Sequence, residues 1–297
     1  MASSIVQTSR FAIVGLGLLG GSLAKRMRAI HARSVFGIAR RAEVLQKACD
    51  DGLIEAGSDD PSEILPVVDL TFICLPLTAT IDFVEANLDN FRSGSIVTDV
   101  GSVKGSIVSG VREMLLERGV YFIGSHPMAG SEKSGIEFSQ ADLYQDKIVF
   151  LTPTAEDNPD AIHLLREIWR ELGAQPIELD SDRHDAAVAF SSHVPHLLAG
   201  AAVQAVLGEG DPEAQAIACA GGFRDFSRIA ASNPSMWSEI CAHNRDSVLA
   251  SLDSFEARLA AIRSCVETSD WDALQAELSR AADLRAAWNE THGERLS

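Results

Sequence analysis

Phe11-Ala12-Ile13-Val14-Gly15-Leu16-Gly17-Leu18-Leu19-Gly20 decides how the first half of this chain is read. Four β-type apolar residues run directly into glycines at GxGxxG spacing. Leu19, Leu23 and Met27 then recur at helical spacing, so the glycines stand between a strand and a helix. In that setting the glycines permit a tight turn and let the backbone approach a pyrophosphate, which the N-terminus of the next helix stabilises. The chain is therefore expected to open with a dinucleotide-binding unit.

Outward from this turn the pattern alternates. A second strand over 34–38 ends at Ala39-Arg40-Arg41. An NAD site carries an acidic residue about 20 positions beyond the glycines, and here two arginines stand in its place. Their forked cations suit the 2′-phosphate of NADP, so NADP is favoured with NAD possible; the alternative is that both arginines open the next helix as solvated side chains. A buried strand over 67–75 ends at Leu75-Pro76, a helical pattern covers 80–91, and a strand over 95–99 runs into Val100-Gly101-Ser102-Val103-Lys104-Gly105. A helix over 107–118, an apolar run at 120–123 and a strand over 147–151 complete the series. Strands alternating with helices predict a doubly wound parallel sheet of Rossmann type over residues 1–155.

Within that half, Gly124-Ser125-His126-Pro127-Met128-Ala129-Gly130-Ser131-Glu132-Lys133-Ser134-Gly135 places one histidine among small residues just after an apolar run. Open α/β sheets put their reactive groups there, beyond the carboxyl ends of the strands. His126 is thus a candidate general base; the alternative is a structural loop histidine.

The second half, 156–297, reads as helical. One helix over 161–172 is followed by a possible strand at 175–179, and apolar-periodic segments cover 186–207, 214–231, 235–261 and 270–289. Helices this apolar are expected to bury a face against a second subunit. Three polar features stand out: Asp182-Arg183-His184-Asp185 with Ser191-Ser192-His193-Val194-Pro195-His196 after it, Gly221-Gly222-Phe223-Arg224-Asp225-Phe226-Ser227-Arg228, and Asn233-Pro234-Ser235-Met236-Trp237. His193 and His196 lack a third ligand at matched spacing and flank a proline, so no metal site is expected.

The chain has 297 residues with 25 basic and 42 acidic side chains, a net charge of −17. Such a surface repels nucleic acid and anionic lipid, so neither is expected as a partner, while a local basic pocket could still hold a small anion. Five cysteines without a CxxC pair point to reduced thiols. The short polar N-terminus has no signal core, and no apolar run is read as a membrane span. Cytoplasmic localisation is the expectation.

Together GLGLLGGSLA (15–24), TDVGSVKG (98–105), GSHPMAGSEKSG (124–135), SSHVPH (191–196) and GGFRDFSRIAASNPSMW (221–237) resemble, in order and spacing, the prephenate/arogenate (cyclohexadienyl) dehydrogenase family of tyrosine biosynthesis. The resemblance implies a Rossmann domain followed by an all-α dimerisation domain, a homodimer, and an active site between the two, without a fused chorismate mutase or ACT domain. It implies His126 as catalytic histidine, with Ser102 hydrogen-bonding the same substrate hydroxyl. Arg228 would grip a substrate carboxylate, and His193, His196, Glu132 and Ser125 would line the substrate pocket. By the resemblance Gly15, Gly17 and Gly20 would hold the cofactor; Leu16, Leu18, Leu19, Leu75 and Pro76 are assigned beside them, and Arg40 and Arg41 are assigned to it from their local chemistry, where NAD-using members carry an acid. Two other readings are another β-hydroxyacid-type dehydrogenase and a non-catalytic cofactor sensor. The first typically relies on a lysine in its helical half, and residues 156–297 contain none; the second would not need Ser102, His126 and Arg228 together.

Overall fold

The protein is described by a computed structural model over residues 4–130, 133 and 135–292. Its α/β part begins with β1 (Arg10–Val14), α1 (Leu18–Ala29), β2 (Ser34–Ile38), α2 (Ala42–Asp50) and β3 (Ala56–Ser58). It continues through β4 (Leu70–Ile73), α3 (Leu77–Ala86), β5 (Ile96–Asp99), α4 (Gly105–Glu117) and β6 (Tyr121–Phe122). These six strands pair in parallel, in the order β3-β2-β1-β4-β5-β6. Every residue of β4 and β5 is buried, the signature of central parallel strands covered on both faces. The order reverses between β1 and β4, and that switch point opens a crevice beyond the strand ends.

The segment around His126 differs from the expected loop. Gly124–Pro127 forms its own strand, β7, which pairs antiparallel with β8 (Ile148–Thr152) and sets His126 opposite Phe150. After α5 (Pro159–Glu171), β9 (Gln175–Glu178) pairs in parallel with β8, giving a second sheet in the order β7-β8-β9. Helix α5 is capped by Asn158, whose side chain accepts from the N–H groups of Asp160 and Ala161. Its Leu165, Ile168 and Trp169 are fully buried in one core with Phe11, Ile13, Phe72 and Leu151. The α/β body thus runs on to Glu178, past the division expected at residue 155. The polar stretch after Pro153 is a strand-to-helix loop, because the apolar face of α5 is needed to cover the sheets.

The helical part comprises α6 (Ser181–Val188), α7 (Val194–Gly208), α8 (Pro212–Ala218), α9 (Gly221–Ser227), α10 (Pro234–His243), α11 (Arg245–Glu267) and α12 (Trp271–His292). Between α6 and α7 lies a π-helical turn, Ala189–His193, and wide turns of this kind gather at functional sites. Pro195 follows it in the first turn of α7, where a missing N–H is tolerated. The run Ser181–Gly208 spans 28 residues and is long and apolar enough, by length and composition, to cross a bilayer, which the sequence reading did not anticipate. It also carries His184, Asp185, His193 and His196, all buried, and about a third of its most apolar window is buried within the chain, 33%.

By internal contacts the chain divides after Arg245. In the second unit, helices α11 and α12 expose Leu259 (65%), Trp271 (59%), Leu278 (55%) and Leu284 (67%). That is a large apolar area for the surface of a single chain.

Candidate active site

The glycine turn is shaped by close approaches. Gly15 has φ +88°, and a Cβ there would lie 2.6 Å from the carbonyl oxygen of Cys74. A Cβ on Gly20 would lie 2.0 Å from the Gly15 oxygen, so α1 can start only where side chains are absent. Gly17 is different: a Cβ there would meet nothing within 4 Å. It caps α1 without a side-chain hydrogen bond, leaving the first N–H groups of the helix facing a space that a methyl would enter. This cradle fits the pyrophosphate of a dinucleotide.

Gly17, Leu18, Leu19, Leu75 and Pro76 line a cavity of about 680 Å³ together with Ser102, His126, His193, Arg228 and Trp237. The structure thus gathers two expected groups of residues, cofactor and substrate, onto a single cavity. Leu16 is buried in the core beneath the turn instead, 3% exposed. Arg40 and Arg41 stand exposed just past the carboxyl end of β2, and Arg41 caps α2. They lie outside the cavity wall, at the strand end where such folds seat the ribose. Glu132 lies outside the described residues.

Ser125 departs from expectation. Successive residues of a strand face opposite sides, so with His126 on the cavity, Ser125 turns into the core and is fully buried. Its Oγ lies 2.7 Å from Thr98 Oγ1 and accepts from Trp169 Nε1 at 3.1 Å. It is a packing residue and does not line the cavity. Its main chain is held by a buried ion pair that sequence reasoning missed: Asp99 Oδ1 accepts the Ser125 N–H at 3.2 Å, and Lys104 Nζ donates to the Ser125 carbonyl at 2.8 Å and to the Asp99 carboxylate. Both charged residues are fully buried. Burial pulls the Lys104 pKa down while Asp99 opposes the shift.

His126 Nδ1 lies 2.8 Å from His184 Nε2, and His184 Nδ1 lies 2.8 Å from Asp185 Oδ1. Asp185 accepts the N–H groups of Lys104 and Gly105 at 2.8 Å each, fastening α6 to the start of α4. Burial, helped by His184, Lys104 and His193, holds the His126 pKa well below the usual histidine value, so the ring is neutral at pH 7 and able to accept a proton. His193 is pushed down to about 4, chiefly by burial; Asn244 Nδ2 lies 3.2 Å from its Nδ1 and donates to the Asp185 carbonyl at 2.8 Å. His196 is not on the cavity wall; its ring stacks on Trp237 at 3.6 Å between centroids. The buried nitrogens His193 Nε2 and Trp237 Nε1 have no hydrogen-bond partner, and both side chains line the cavity. They leave polar demand for a ligand to satisfy.

Family models described as "Prephenate dehydrogenase, nucleotide-binding domain" and "Prephenate dehydrogenase, dimerization domain" match residues 23–178 and 180–280. The chain belongs to the prephenate dehydrogenase family. Its first domain is accordingly the nucleotide-binding one of that family. The chain is similar to the cyclohexadienyl dehydrogenase of Zymomonas mobilis, 31% identical over 95% of this chain and 96% of that one. It is also similar to the prephenate dehydrogenase of Bacillus subtilis, 31% identical over 92% of this chain and 74% of that one. Among solved structures, the prephenate dehydrogenase of Aquifex aeolicus in complex with hydroxyphenyl propionate and NAD+ superposes with a TM-score of 0.88, at 30% identity over 94% of this chain and 98% of that one. The arogenate dehydrogenase of Synechocystis gives a TM-score of 0.82 at 29% identity, over 94% of this chain and 99% of that one. A 3-hydroxyisobutyrate dehydrogenase of Salmonella typhimurium, at 14% identity and a TM-score of 0.61, shares the fold alone.

The His184–Asp185 pair, Asn244 and the Lys104–Asp99 pair carry the site's polar support, and none was assigned from sequence. The signal for the first was present, a His-Asp pair opening an apolar helix, but its partner lies 58 residues away on another element.

Proposed function

We propose that this protein oxidatively decarboxylates a cyclohexadienol of the prephenate or arogenate class, giving 4-hydroxyphenylpyruvate or tyrosine, with a nicotinamide cofactor as hydride acceptor. The observation that carries the reading is the neutral, depressed-pKa His126 lining one cavity with Ser102, Arg228 and the Gly17 cradle. A nicotinamide cofactor held at the Gly17 cradle would supply the acceptor for the hydride leaving C4 of the ring. His126 accepts the proton of the 4-hydroxyl, Ser102 orients that hydroxyl, and loss of CO₂ leaves an aromatic phenol. Arg228 offers a fixed, permanently charged fork to a substrate carboxylate. His193 and Trp237 meet the polar side-chain group, with His196 backing Trp237 by stacking. Glu132 is assigned to the same lining.

The cofactor proposed is NADP, with NAD accepted, since Ala39-Arg40-Arg41 offers cations and no acid at the end of β2. The enzyme is proposed to take both prephenate and arogenate, to act in the cytoplasm, and to pair with a second copy through its helical part, whose exposed Leu259, Leu278 and Leu284 need cover. The test is reduction of NAD and NADP, each with prephenate and with arogenate, by the wild type and by His126→Asn and Arg228→Ala. His126→Asn should lower kcat about 10²–10⁴-fold with cofactor binding retained. Arg228→Ala should chiefly raise the substrate KM. Wild-type turnover by His126→Asn, or no reduction in any pairing, removes the reading.

A further inference from the structure

His126 meets His184 through one nitrogen only, and His184 meets Asp185 through the other. The distances are 2.8 Å for His126 Nδ1 to His184 Nε2 and 2.8 Å for His184 Nδ1 to Asp185 Oδ1. The three side chains come from two elements, β7 and α6, and the two imidazoles cross edge to face at 77° with centroids 5.0 Å apart. His184 is fully buried and packs its other side against the Phe150 ring, 5.4 Å away.

The polarity of this chain follows from its inner end. Asp185 Oδ1 already accepts the Lys104 N–H, and Oδ2 accepts the Gly105 N–H, so the carboxylate stands as an acceptor and His184 Nδ1 must be the donor to it. A neutral imidazole has one N–H. With that hydrogen on Nδ1, His184 Nε2 presents a lone pair, and among the described residues the group facing it is His126 Nδ1, which must be the donor. His126 then carries its hydrogen on Nδ1 and turns a bare Nε2 away from the relay. We propose that His184 and Asp185 are positioning residues that fix the tautomer of His126, so that its Nε2 lone pair faces the substrate hydroxyl. The inference rests on the base reading of His126 given above.

The relay needs no second proton transfer. In the forward step Nε2 forms a bond to the hydroxyl proton as the O–H bond breaks, and the imidazolium keeps its Nδ1 hydrogen donated to His184. Without His184 the tautomer would be free to reverse, which puts a hydrogen where the lone pair is required. Asp185 has a second consequence. Because it also holds the start of α4, the same carboxylate orients the base and anchors the end of the loop that carries Ser102.

The test uses 15N-histidine-labelled full-length protein, with wild type, His184→Phe and His184→Gln compared. Glutamine retains an acceptor near the position of His184 Nε2, and phenylalanine retains only the volume. Two-bond 15N–1H correlation should show His126 as the Nδ1–H tautomer in the wild type and in His184→Gln, and predominantly as Nε2–H in His184→Phe. In the same series kcat should fall about 10²-fold in His184→Phe, with substrate KM and cofactor affinity near wild type, and His184→Gln should recover at least about 10-fold of that loss. A wild-type His126 bearing Nε2–H overturns the proposal, and this arm needs no variant to fold. A fall in kcat without a change of tautomer also overturns it, since that is what a merely structural role produces. If His126→Asn keeps full activity, the base reading fails first. If His126→Asn loses activity while His184→Phe changes neither tautomer nor kcat, only the relay fails.

Discussion

Two adjacent residues on β7 do opposite work. His126 faces the cavity and Ser125 faces the core, a consequence of the two-residue period of a strand. Ser125 Oγ accepts the buried Trp169 N–H and pairs with Thr98. Ser125→Ala leaves that indole donor without an acceptor, so urea denaturation should show a loss of about 1–3 kcal/mol, with substrate KM unchanged. A raised KM at wild-type stability would return Ser125 to the cavity. Motif reading places both residues in one cluster of small residues and cannot tell them apart, because the strand pairing that separates their faces comes from β8, more than twenty residues on. The same limit applies to His193 and His196. They are neighbours in sequence, yet one lines the cavity and the other backs Trp237.

At the scale of elements, the β1–α1 turn distinguishes two kinds of glycine. Gly20 is required by packing, since its Cβ would sit 2.0 Å from the Gly15 oxygen, whereas Gly17 faces open space. Gly20→Ala should cost about 2 kcal/mol or more through overpacking at the turn. Gly17→Ala should stay within about 1 kcal/mol of wild type but weaken cofactor binding about 10-fold, as its methyl meets the pyrophosphate. Thermal melts paired with cofactor titration separate the two, and equal effects in both readouts would refute the distinction. This element was fully legible in the sequence, because strand, glycine spacing and helix are contiguous. The π turn before α7 and the break at Asn244 between α10 and α11 were not. Apolar periodicity ran straight through them, and it is the tertiary partners of His193 and Asn244 that reward the interruptions.

For the whole molecule, buried neutral histidines set a dependence of stability on pH. His126 is held well below the usual value and His193 lies at about 4, against about 6.5 in the unfolded chain. A histidine depressed on folding binds its proton more readily when unfolded. Its contribution is therefore complete above about pH 6.5 and is lost as pH falls towards the folded value. His193 alone accounts for a loss on the order of 3 kcal/mol between about pH 6.5 and pH 4. Urea midpoints at pH 7 and pH 4.5 should show this fall, and His193→Asn should reduce it. A midpoint indifferent to pH in wild type would show that these rings are not buried neutral.

Local sequence patterns sufficed for the family and for the doubly wound α/β beginning with its glycine turn, and they are the source of the proposal that His126, Ser102 and Arg228 are site residues. Each of these is a local pattern: residues within a few positions of one another, with a spacing that only one backbone geometry uses. The tertiary structure alone decided that residues 124–127 form a strand, that α5 and β9 belong to the α/β body, and that Ser125 is buried. It alone decided that His184, Asp185, Lys104 and Asp99 support the site. Those facts depend on hydrogen bonds and packing between segments far apart in the chain. A single sequence records the residues that make such contacts but not which of them meet.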